Sequence, residues 1–122
     1  MASPKFRAGT IIRTILKADP EISKRVKHIR PITAPKTTDG DFIVYQRNEY
    51  SKNRNNMGTI DTCNVFVSCV SSDYDRSIEL AELVDKAIDR EHKDLEVVGQ
   101  LIDSTEDEED GKYIQTLLYS LT

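Results

Sequence analysis

Two cysteines, two histidines and five scattered glycines are all that 122 residues hold of the types that most often carry redox, metal and phosphate chemistry. Cys63 and Cys69 fall in one alternating stretch. If they share a strand, six residues at about 3.3 Å per residue hold them roughly 20 Å apart, too far for a bridge. Both read as small core hydrophobes. His28 and His92 stand without a C-x-x-C or H-x-x-x-H partner, which argues against zinc. No glycine-rich phosphate loop, G-x-S-x-G elbow or histidine-bearing catalytic motif is present. No apolar run reaches the ~18 residues of a membrane span. The opening MASPKFRAGTIIRTILK lacks the apolar core and cleavage site of a signal peptide, which predicts synthesis in the cytoplasm.

What the chain does hold is ordinary globular composition, 38% hydrophobic and 31% charged, with the charge unevenly divided. Residues 1–56 carry 12 Lys/Arg against 5 Asp/Glu, whereas residues 57–122 carry 5 against 16. A basic first half and an acidic second half suit a nucleic-acid-binding segment, complementary faces between subunits, or two solvated surfaces. The length predicts one domain over 1–122, able to bury a core without staples.

Hydrophobic periodicity places the elements. Ser3–Pro4 reads as a helix start, followed by the stripe Ala8, Ile11, Ile12, Ile15 and Leu16. Asp19–Pro20 ends that helix and caps a short turn holding Ile22 and Val26. His28–Ile32 is a short strand that Pro31 confines to an edge. Asp41–Arg47 alternates as a strand, and Asn48–Gly58 (NEYSKNRNNMG) reads as the long mobile tip of a hairpin returning along Thr59–Val70. On that return strand Cys63, Val65, Val67 and Cys69 share one side. Ser72 offers an N-cap with Asp75 as capping-box partner. Tyr74, Ile78, Ala81, Val84 and Ile88 then form a helical stripe widened by Leu80, Leu83 and Ala87. A last hairpin joins Leu95–Ile102 to Tyr113–Leu121 through an acidic tip, Asp103–Gly111. The order α-β-β-β-α-β-β predicts an α+β two-layer sandwich: a mainly antiparallel sheet with two helices packed on one face.

Few chemistries survive this reading. The acidic tip fails as an EF-hand, because its sixth position from Asp103 is Glu108 and its twelfth is Ile114, where glycine and glutamate are required. Carboxylates are abundant, but none is paired in a way that marks a hydrolase. The element order mimics a double-stranded-RNA-binding domain, yet the helix that would meet phosphates opens DYDRSIELAE, with four acids and one arginine. A basic alternative is the 47–54 hairpin, where Arg47, Lys52 and Arg54 interleave with Tyr45 and Tyr50. It suits a small single-strand-binding or regulatory module.

In order and spacing most of the chain resembles the tail-terminator, or tail-completion, proteins of long-tailed phages and prophages. The segment Ile60–Ile88 matches their strand that ends near D-Y and feeds a helix of A-x-E-L-A-E-x-V type, here SIELAELV (Ser77–Val84). Ile29–Pro31 and Ile32–Pro35 match a short I-x-P-x-x-A-P stretch. Phe42–Gln46 matches a strand of P-x-I-V-Y-Q type, with Asp41 where proline is often found, and Tyr113–Leu121 matches a closing strand after an acidic turn. The resemblance implies a non-catalytic, cofactor-free assembly protein of the head-proximal virion tail. Its partners would be further copies of itself in a commonly hexameric ring, the major tail tube protein, head-completion or connector proteins, and DNA passing unspecifically through the lumen. No metal or membrane is implied. Candidate subunit or partner contacts are Arg47, Tyr50, Lys52, Arg54, Asn55, Met57, Asp73, Asp75, Glu79 and Glu82. Glu106, Asp107, Glu108, Glu109 and Asp110 form a candidate lumen-facing acidic loop.

Overall fold

The computed structural model describes residues 5–34, 40–55 and 58–122. After a 3₁₀ turn at Lys5–Arg7 come α1 (Ala8–Ala18), α2 (Pro20–Arg25), β1 (His28–Pro31), β2 (Phe42–Asn55), β3 (Gly58–Ser71) and α3 (Tyr74–Ile88). The chain ends with β4 (Glu91–His92), a 3₁₀ turn at Lys93–Leu95, β5 (Val97–Glu109) and β6 (Lys112–Leu121). The strands form one sheet in the order β1-β2-β3-β6-β5-β4. Only β1 and β2 run parallel, and the other neighbours are antiparallel. The fold is α+β as expected, with a third short helix and the two-residue β4 added to the predicted order.

The helices cover one face. Every residue of the α1 stripe, Ala8, Ile11, Ile12, Ile15 and Leu16, is buried. Asp19 stops α1 by turning extended, and its Oδ1 accepts the N–H groups of Glu21 (2.9 Å) and Ile22 (3.2 Å) to start α2 behind Pro20. On β3, Cys63, Val65, Val67 and Cys69 point into the core beside Leu117, Tyr119 and Leu121 of β6. The opposite face exposes half-buried Phe66, Ser68, Thr116 and Leu118, with no covering element among the described residues.

Three local readings need correcting. The cap of α3 is Asp73, not Ser72: its Oδ2 accepts the Arg76 N–H at 2.9 Å. The buried stripe of α3 is Ser77, Leu80, Ala81, Val84, Ala87 and Ile88, while Tyr74 lies exposed at the sheet's end. Both segments read as loops are mostly strand. β2 and β3 stay in register from Glu49↔Asn64 to Asn55↔Gly58, after a bulge at Asn48. The acidic segment belongs to β5 as far as Glu109, and only Asp110 and Gly111 turn, both with positive φ (52° and 79°). Asp-Gly in that conformation is the tight hairpin turn whose twist matches antiparallel strands.

Candidate assembly surfaces

The basic arm of the first hairpin is anchored at its base. Arg47 donates from Nη1 to the Phe6 carbonyl (3.4 Å) and lies 4.9 Å from the Phe6 ring centre. Tyr50, Lys52, Arg54 and Asn55 follow on β2, opposite Cys63, Asp61, Thr59 and Gly58. Met57 and the Ser3–Pro4 helix start lie outside the described residues.

On α3 the acids divide into those held and those presented. Asp73 is spent on the cap. Glu79 accepts from Arg25 Nη1 at 3.0 Å, tying α3 to α2. Asp85 accepts the Tyr119 hydroxyl at 2.9 Å, and burial together with that carboxylate pushes the phenol's pKa upward. Asp75 and Glu82 are left exposed on the helix surface.

The acidic segment divides in the same way. Glu106 turns back toward α3 and accepts the Tyr74 hydroxyl (3.0 and 3.1 Å) and Gln115 Nε2 (3.0 Å). The bond to Glu106 raises the Tyr74 pKa. Gln115 also donates to Ser77 Oγ (3.3 Å), and Tyr74 meets Tyr113 edge-on at 5.5 Å. Asp107 and Glu108 bind only local backbone, accepting from Glu108 N–H and Gly111 N–H, and with Glu109 and Asp110 they are exposed. Among the described residues no group of three His, Cys, Asp or Glu is arranged to hold a metal.

Two features escape the sequence reading. Asp41, the residue that departs from the P-x-I-V-Y-Q pattern, is 5% exposed and accepts Ser71 Oγ (2.9 Å) and Arg76 Nη2 (3.0 Å). Ser71 Oγ in turn accepts the Asp73 N–H (3.2 Å), so Asp41 fixes the start of α3 from the neighbouring strand. The second is a cleft along β1 lined by Lys17, Ser23, Val26, Lys27, His28, Ile29 and Arg30. The Arg30 Nε is buried there with no hydrogen-bond partner among the described residues. The run KRVKHIR (Lys24–Arg30) is its only sequence signal.

The remaining candidates for chemistry are structural. Cys63 and Cys69 are buried and unbridged, and desolvation pushes the Cys69 thiol far above its usual range, away from the reactive thiolate. His92 is buried and its Nε2 donates to the Ile88 carbonyl at 2.9 Å, closing the C-terminal end of α3. No described helix is long and apolar enough to cross a membrane.

Comparison with known proteins gives one kind of result. No protein-family model matches the chain, and no curated protein does. Among solved structures, a chain from the virion of a native gene transfer agent particle superposes with a TM-score of 0.73. The match covers 90% of this chain and 89% of that one at 13% sequence identity. At that identity the likeness is one of fold, extending over nearly the whole of both chains.

Proposed function

We propose that the protein is a non-catalytic structural subunit of a phage-like virion, forming a ring that terminates the tail tube and joins it to the head. The observation that carries this reading is the fold shared, nearly end to end, with a chain of a gene transfer agent virion. The tail-end and ring assignment within that reading rests on the sequence series quoted above and its resemblance to tail-terminator proteins. In this reading residues 1–122 act as one unit, made in the bacterial cytoplasm and finishing at the head-proximal end of the tail.

The partners are further copies of the chain in a hexameric ring, the tail tube protein and the head-completion proteins. Arg47, Tyr50, Lys52, Arg54 and Asn55 of the β2–β3 arm are the candidate contacts with one of them, as is Met57, which lies outside the described residues. Asp75 and Glu82 offer exposed charge on α3, while Asp73 and Glu79 act within the subunit, as cap and ion-pair partner. DNA passes through the lumen without specific binding.

Deleting the gene from a producing phage tests the proposal. The expected result is unjoined heads together with tail tubes of uncontrolled length. Normal infectious particles from the deletion would end it. Salt-sensitive binding of single-stranded nucleic acid at micromolar protein, lost on changing Lys52 and Arg54, would favour a binding module instead.

A further inference from the structure

The two edges of the sheet are charged oppositely. At one edge, β1 has no strand beyond it among the described residues. The cleft beside it presents exposed Lys17 and Lys27 and half-buried Arg30. At the other edge, β4 covers β5 only at Val97 and Val98. Gly99 is held by the Arg90 carbonyl, and beyond it β5, to Glu109, has no neighbouring strand on this side among the described residues and carries exposed Asp103, Asp107 and Glu109. A free edge keeps unpaired backbone donors and acceptors, and a run of like charge there discourages pairing with a copy of itself.

We infer that the acidic free edge of β5 docks along the basic β1 edge of a second copy of this chain. The inference rests on the ring reading above and deepens it by naming the contact. Three strands, β2, β3 and β6, separate β1 from β5 in the sheet order, so in this sheet the two edges of one molecule cannot pair as neighbouring strands. A second copy can, and the contact is head-to-tail: each copy keeps one acidic and one basic edge free for the next. Opposite charges steer the copies together, and the like-charged alternatives, β5 on β5 or β1 on β1, are repelled. Arg30, whose buried Nε has no hydrogen-bond partner among the described residues, adds to the positive charge of this edge. The acids of β5 then face a neighbour in place of the lumen-facing role expected from the resemblance.

Charge reversal with rescue tests this. One variant carries Lys17→Glu and Lys27→Glu, a second carries Asp107→Lys and Glu109→Lys, and a third carries all four changes. All substituted side chains are exposed, and thermal unfolding verifies that each variant folds. Sedimentation velocity at low salt reads self-association. The expected result is at least tenfold weaker association for each of the first two variants, with recovery when they are mixed or combined in the third. Association of wild type with unchanged association of the first two variants overturns the edge contact and leaves the ring reading intact. Wild type that stays monomeric up to the highest soluble concentration overturns both. If the Lys17→Glu, Lys27→Glu variant associates normally but loses binding to a DNA duplex, the basic edge serves nucleic acid and the inference is wrong.

Discussion

The two faces of β3 are packed to different standards. On the helix side, Cys63, Val65, Val67 and Cys69 are fully buried under α1 and α3. On the other side Asn64, Phe66 and Ser68 are half-exposed, flanked by Val44, Ile114, Thr116 and Leu118 in the same condition. The same strand therefore belongs to a close-packed core on one face and to a surface on the other. Interior density makes the first face intolerant of any change in volume. The second face tolerates change better, because its side chains are already partly in water.

Substitutions on the helix side should break the fold first. Leu80, fully buried between α3 and the sheet, is expected to cost about 2–5 kcal/mol when changed to alanine. The equivalent loss on the open face, Phe66→Ala, should cost roughly half of that or less, because part of the ring is already in water. Urea unfolding of the pair measures the contrast, and equal losses would mean the open face is covered after all.

Gly99 gives a sharper test of packing against α3. A side chain there would meet the backbone carbonyl of Ile88, while the Gly99 N–H is committed to the Arg90 carbonyl at 2.9 Å. Gly99→Ala is therefore expected to destabilise by about 1–3 kcal/mol, as overpacking does, and to lower the unfolding midpoint accordingly.

Tyr119→Phe should cost less, about 1–2 kcal/mol near neutral pH, by removing the hydroxyl bonded to Asp85. Its pH dependence fixes the cause. The folded-state pKa of Tyr119 is raised above the ordinary 10.0 by burial and by Asp85, and that of Cys69 above 9.0 by burial. Above those ordinary values the unfolded chain releases its protons while the folded chain keeps them, so stability falls as pH rises. It is complete below about pH 9. Unfolding measured from pH 8 to 11 should show the decline, and the Tyr119→Phe chain should show less of it.

The smallest effect on stability belongs to the edges. Lys27→Glu and Asp107→Lys each change an exposed side chain with no cap or buried partner, and each should leave stability within about 0.5 kcal/mol of wild type. A large loss at either position would make the edge part of the core and erase the distinction between core and contact.

Much of the helix-side architecture is legible in the sequence. The α1 stripe, the Asp19 cap, the edge strand ended by Pro31 and the alternation of Cys63 to Cys69 all follow from local periodicity. What periodicity misses is where polar residues continue a strand. Residues 48–55 and 103–109 have little apolar alternation, yet pairing with an ordered neighbour strand holds them extended. Asp73 displaced Ser72 as the cap because Ser71 and Asp41 already fix the backbone just before it. The candidate surfaces were less legible still. Sequence gives the sign of a charge but not its partner, so Glu79 and Glu106 read as surface acids although the fold occupies them. The basic cleft forms only when α1, α2 and β1 come together.

The central claim is that this chain is a building block whose function lies in association with its own kind. Negative-stain microscopy of the purified protein across a concentration series tests it most directly. The account predicts closed rings of one size with an open centre, increasing with concentration and dissolving at high salt. A particle that stays monomeric throughout would contradict it.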